Sequence, residues 1–116
     1  MHKADCIFCK IARKEIPAKA VFENDRIMAF EDVKAKAPVH ILIIPKDHIE
    51  KTSDLTEGNI RLMGELVLTA KTLADQKGVG ESGYRIVLNC NKDAGQEVFH
   101  LHLHLMGGRK FAWPPG

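Results

Sequence analysis

The sequence predicts an α+β domain on a mostly antiparallel sheet of about five strands, with one long and one short helix. Three observations carry this. Short apolar or β-branched segments recur along the chain, bounded by Gly, Pro and Asn. One stretch alone sustains apolar residues at three- and four-residue spacing over several turns. The connections are short, and strands joined by tight turns pair antiparallel rather than through helical crossovers. With 116 residues and no repeat or linker, the chain reads as one domain over 1–116.

Residues 6–14 read as the short helix, ending ahead of Ile16-Pro17 because a residue before proline avoids the helical region. Residues 20–23 and 26–30 read as two strands joined at Asn24-Asp25, a pair that tolerates the positive φ of a tight hairpin. Residues 40–44, apolar and bracketed by Pro38 and Pro45, read as a buried strand. The long helix is expected to begin near Asp54, where Asp54 and Glu57 have capping-box spacing. Ile60, Met63, Val67, Ala70 and Ala74 supply its apolar face, and Gly78 stands where a helix stops. Residues 84–89 and 99–106 supply the last two strands.

Composition narrows the function. Seventeen basic against fifteen acidic residues leave a net charge of +2 with no basic run, which argues against a surface that tracks nucleic acid. An isolated anionic ligand such as a mononucleotide remains compatible. The apolar run 41–44 is far too short to cross a bilayer, so no membrane partner is expected. The N-terminus carries no apolar export signal, and three cysteines suit a reducing compartment better than a disulfide framework. A cytoplasmic location is the resulting expectation. A chain this small also gains by burying surface in an oligomer.

The segment His100-Leu101-His102-Leu103-His104-Leu105-Met106 is the most informative. On a strand its period of two sends three imidazoles to one face, about 6.5–7 Å apart, and three leucines to the other. Half of the six histidines fall in these five residues, whereas an ordinary polar strand face carries Lys, Thr or Glu. A three-imidazole metal centre is one reading, although three ligands on one straight strand converge poorly on one ion. Nucleophilic attack at phosphorus is another. A neutral imidazole attacks, a carbonyl holds its other ring N–H, and flanking imidazoles donate to phosphoryl oxygens.

That run resembles the signature of the histidine triad (HIT) superfamily. Lys14-Glu15-Ile16-Pro17-Ala18-Lys19, Ala37-Pro38-Val39-His40, Ile44-Pro45-Lys46-Asp47-His48-Ile49, Gly95-Gln96 and the closing Trp113-Pro114-Pro115-Gly116 resemble its nucleotide-binding branch. The likeness covers nearly the whole chain. It implies a HIT-like fold and a purine nucleoside phosphoramidase, a hydrolase that cleaves P–N bonds of adenosine phosphoramidates through a nucleotidyl-histidine. His102 would be the nucleophile, His104 and His100 would contact or orient phosphate and nucleophile, and His40 would lie beside them. Asp32 would grip the ribose, since one carboxylate accepts from two vicinal hydroxyls. Asn89 and Gln96 would contact the phosphate and leaving group.

Ile7, Phe8, Ile16 and Ile27 match the purine slot, though apolar residues at such spacing are equally ordinary core. Val33, Val98 and Trp113 join the nucleotide-binding positions. Glu97 stands where close relatives often carry a small hydroxyl residue. A carboxyl group there either donates a proton or repels anionic leaving groups.

Cys6-Ile7-Phe8-Cys9 is a Cys-x-x-Cys pair, readable as half a zinc site or as two buried free thiols. The resemblance implies that His48 and His100 complete a structural zinc site, with no cofactor required for catalysis; Cys90 reads as incidental. It also implies a homodimer whose sheets join and whose C-termini reach the partner's site. Two other functions stay open: hydrolysis of dinucleoside polyphosphates, which the Trp-Pro-Pro-Gly ending disfavours, and a nucleotide-binding interaction module with little catalysis.

Overall fold

A computed structural model describes residues 3–116, leaving Met1 and His2 outside the description. Its strands are β1 (Ala20–Glu23), β2 (Ile27–Glu31), β3 (Val39–Pro45), β4 (Tyr84–Val87) and β5 (Leu103–Gly107), all antiparallel in the order β1-β2-β3-β5-β4. Alternation within them feeds both faces. Ile27, Ala29, Ile41, Ile43, Leu103 and Leu105 face helix α2 (Ile60–Gln76), meeting Leu66, Ala70, Leu73 and Ala74. Met28, Phe30, Leu42 and Ile44 face the opposite way, onto Phe8, Ile11 and Ala12 of helix α1 (Ile7–Ala12).

The two helices differ in reach. The 17 residues of α2 span about 25 Å, whereas the six of α1 span about 9 Å. One face of the sheet is therefore covered and the other is left partly bare, and His104 emerges on the bare part opposite Leu42. No helix among the described residues is long and apolar enough to cross a membrane.

Several boundaries differ from expectation for physical reasons. The turn at Asn24-Asp25 needs no positive φ, a conformation that only Lys14 and Asn91 adopt among the described non-glycine residues. Instead the Asn24 Oδ1 accepts from the Arg26 and Ile27 amides at 2.9 and 2.8 Å, closing the turn through a side chain. The capping box lies at Thr56 and Asn59 rather than Asp54 and Glu57, and Thr52–Asp54 and Glu57–Asn59 form 3-10 turns ahead of α2. Ile60 and Val67 do not face the core; they are 70% and 47% exposed, and the buried stripe runs through Leu66, Ala70, Leu73 and Ala74. Gly78 does end the helix. At φ 78° its amide bonds to Asp75 and that of Val79 to Ala74, a Schellman closure.

The last strand starts at Leu103, not at residue 99. Continuing the β3–β5 register would set Leu101 opposite Pro45, which has no N–H to give. The Pro45 carbonyl accepts from His100 Nε2 at 2.7 Å instead, and the Leu101 amide turns to Ile49 O at 2.6 Å. β4 stops at Val87, opposite His104, because β5 soon leaves the ladder.

Candidate active site

The hydrogen bonds of three clustered imidazoles, those of His40, His102 and His104, fix which nitrogen carries each proton. His102 Nδ1 lies 2.7 Å from the His100 carbonyl, so it is the donor and Nε2 keeps its lone pair. His40 Nδ1 accepts from the Lys36 amide at 2.9 Å, which puts its proton on Nε2. That Nε2–H points to His104 Nδ1 at 3.0 Å, with Asp32 Oδ2 at 3.4 Å. His104 therefore carries its proton on Nε2. One lone pair and one N–H result side by side, the His102 and His104 rings standing 5.0 Å apart.

Burial holds these rings neutral. It lowers the pKa of His102, against the opposing bond to the His100 carbonyl, and lowers that of His40 against the charge of Asp32. His104 is pushed down to about 4, first by burial and then by the neighbouring His102 and His40 rings. At neutral pH the site thus offers an uncharged imidazole lone pair beside a hydrogen-bond donor. Asp32, His40 and His104 also group closely enough to hold a metal. The proton on His40 Nε2 makes that nitrogen a donor, so the trio is a hydrogen-bonded relay rather than a ligand set.

A cleft of about 640 Å³ opens on the bare face of the sheet. Ile7, Phe8, Ile11, Ile16, Phe30 and Leu42 make its apolar wall, His102 and His104 its floor, and Asn89, Glu97 and Val98 one rim. Asp32, Val33 and Lys34 stand on the other; Asp32 Oδ1 accepts from the Lys34 amide at 2.8 Å, which fixes the loop.

Three expected residues lie elsewhere. Ile27 is buried on the α2 side of the sheet and lines no part of the cleft. The Gln96 side chain turns inward, accepting from the Asn91 amide and donating to Glu50 O and Val98 O, so it braces the loop that carries Glu97. Trp113 is 83% exposed on the tail, away from this chain's own cleft.

A second cluster lies behind the first. Cys6 Sγ and Cys9 Sγ stand 3.3 and 3.5 Å from His100 Nδ1, and Cys9 Sγ stands 3.3 Å from His48 Nδ1. The four donor atoms lie within 4.8 Å of one another. A tetrahedral ion with zinc-like bonds sets S and N about 3.5 Å apart, so the spacing fits. The donor chemistry fits too. His100 Nε2 donates to Pro45 O, the outer bond that aims a ligating Nδ1 inward, while the buried His48 Nε2 has no hydrogen-bond partner among the described residues. Burial also pushes the Cys9 thiol up and the His48 imidazole down, so both groups are neutral.

The site depends on groups that no motif announces: the Lys36 amide and the Pro45 and His100 carbonyls. Main-chain groups belong to every residue, so residue type gives no signal for them.

A family model described as HIT domain matches residues 13–111. The purine nucleoside phosphoramidase of Escherichia coli (strain K12) is 43% identical over 105 residues, 90% of this chain and 88% of that protein. Adenylylsulfatase HINT1 of Arabidopsis thaliana is 48% identical over 112 residues, 95% of this chain and 76% of that protein. The crystal structure of a HIT family hydrolase from Legionella pneumophila Philadelphia 1 superposes with a TM-score of 0.95 at 51% identity, covering 97% of this chain and 100% of that one.

Proposed function

This chain belongs to the HIT domain family, and from that membership we propose that it is a hydrolase of purine nucleoside phosphoramidates. The observation that carries the reading is the His102 ring, held through Nδ1 by the His100 carbonyl so that Nε2 is free beside the cleft. In the proposed reaction His102 Nε2 attacks the α-phosphorus, forming a P–N bond to the ring as the bond to the substrate amine breaks. The amine leaves with a proton from solvent. His104 Nε2–H donates to the phosphoryl group as charge shifts onto its oxygens. Water then attacks phosphorus, releasing the nucleoside monophosphate and returning His102 to its neutral form. The purine lies against Ile7, Phe8 and Ile16, and Asp32 accepts from the ribose.

Zinc is the proposed occupant of Cys6, Cys9, His48 and His100, where it supplies structural cross-linking and no chemistry to the reaction. The proposed assembly is a homodimer. Ile60, Val67 and Leu68 form an exposed apolar stripe on α2, and β4 is an unpaired sheet edge. The test of the enzymatic reading is AMP release from adenosine phosphoramidate. Wild type should turn over, and His102→Ala should bind AMP while losing at least about 10³-fold in rate. AMP binding without turnover by wild type would bring the interaction-module reading forward.

The adenylylsulfatase name of the Arabidopsis relative raises a second leaving group, sulfate. Glu97 lines the cleft and is solvent-exposed, and its carboxylate disfavours an anionic leaving group. Glu97→Ser should raise the rate on adenylyl sulfate relative to the phosphoramidate by about tenfold. An unchanged ratio of kcat/KM values would remove Glu97 from the selectivity.

A further inference from the structure

Helix α1 carries two sets of residues on one short element. Cys9 and the N-cap residue Cys6 belong to the metal-type cluster, while Ile7, Phe8 and Ile11 line the nucleotide cleft. The Phe8 ring stands edge-on to His100, His102 and Phe30, at centroid distances of 5.9, 5.2 and 5.4 Å. It thus sits between the cluster and the nucleophile.

Six residues are too few to stay helical unaided, since isolated helices are marginal below about 12–15 residues. The apolar contact with the sheet comes from only Phe8, Ile11 and Ala12 of the helix. The sulfur–nitrogen contacts to His48 and His100 reach 39 and 91 residues along the chain, tying α1 to the ends of β3 and β5. The family match at residues 13–111 begins after α1, so the cleft wall that α1 provides lies outside that matched span.

We propose that Cys6 and Cys9 are positioning residues for nucleotide binding: a zinc-type ion held with His48 and His100 fixes α1, and through it the Ile7-Phe8 wall of the cleft. The inference rests on the nucleotide and metal readings above. It adds that purine affinity depends on the metal although no metal ligand side chain lines the cleft. His100 joins the same linkage, because its ring belongs to the cluster while its carbonyl holds His102.

The test uses full-length protein loaded with zinc, the same protein stripped by a chelator, and Cys9→Ser. Zinc content, AMP affinity by calorimetry and amide exchange of residues 7–12 are read for each. Stripping and Cys9→Ser should each weaken AMP binding about tenfold, the scale of losing an aromatic wall. The amides of α1 should exchange faster while those of β3 and β5 stay protected, and zinc should restore the stripped wild type. In steady-state kinetics KM should rise more than kcat falls.

Three results would overturn the proposal: no zinc bound by the purified protein, AMP affinity and α1 exchange unmoved by stripping, or loss of β3 and β5 protection together with α1. The last would make the ion a general prop of the fold. A loaded protein that fails to bind AMP overturns the nucleotide reading instead, and it does so before any metal is removed.

Discussion

At His102 the nitrogen turned away from the cleft governs the one turned toward it. The His100 carbonyl accepts from Nδ1, and only for that reason does Nε2 present a lone pair. The same logic runs from the Lys36 amide through His40 to His104, ending in an N–H beside that lone pair. Lowered pKa values keep the arrangement uncharged, so activity should hold through neutral pH and fall only on the acid side of the ordinary imidazole value near 6.5. An acid limb already falling above pH 6.5 would contradict this. Stability follows the same sign. Unfolded histidines take up protons near 6.5 while the folded ones resist, His104 down to about 4. Between those values the unfolded chain binds more protons, so Tm should be lower at pH 5 than at pH 7. The alternating histidines made this cluster legible from sequence, and the Cys-x-x-Cys pair marked half of the second one. The tautomers were not legible, because main-chain partners set them.

The elements show where spacing alone misleads. Asp54 and Glu57 have the separation of a capping box, yet Thr56 and Asn59 form it, and Asp54 pairs with Lys51 at 3.4 Å. Thr56→Ala should therefore cost about 1 kcal/mol, lowering Tm by several degrees, whereas Asp54→Ala should stay within about 0.5 kcal/mol. Equal losses in thermal melts would return the cap to Asp54. Which side chains turn inward was readable from alternating apolar residues, since Leu101, Leu103 and Leu105 all reach the core as expected. The start of β5 was not, because it depends on Pro45 in another strand having no proton to donate. Tertiary pairing, not local propensity, decided that boundary.

For the molecule as a whole, unequal helices create the cleft. A 17-residue helix covers one sheet face and a six-residue helix leaves part of the other open, with His104 on the open part. That difference was visible in the sequence as one long and one short helical pattern. The face of α2 was not fully visible, because Ile60 and Val67 share the apolar spacing of the core stripe while pointing outward. In the proposed homodimer this stripe is buried, so Val67→Glu with Leu68→Glu should yield a monomer by light scattering. An unchanged dimer mass would place the interface elsewhere. The tail belongs to the same scale. Phe111 lies between Arg109 and Arg85, at 4.3 and 5.0 Å, and Trp113 stands clear of its own cleft. Removing residues 111–116 should change leaving-group selectivity more than AMP affinity, and equal changes in both would detach the tail from the reaction.

In the proposed reaction His102 forms a covalent bond to phosphorus, and rapid quenching of wild type with adenosine phosphoramidate tests it most directly. Peptide mass spectrometry should find an adenylate on the peptide carrying His102, appearing and decaying within a turnover, and none in His102→Ala. Full turnover with no adenylated peptide, or with the adenylate on another histidine, would contradict the assignment.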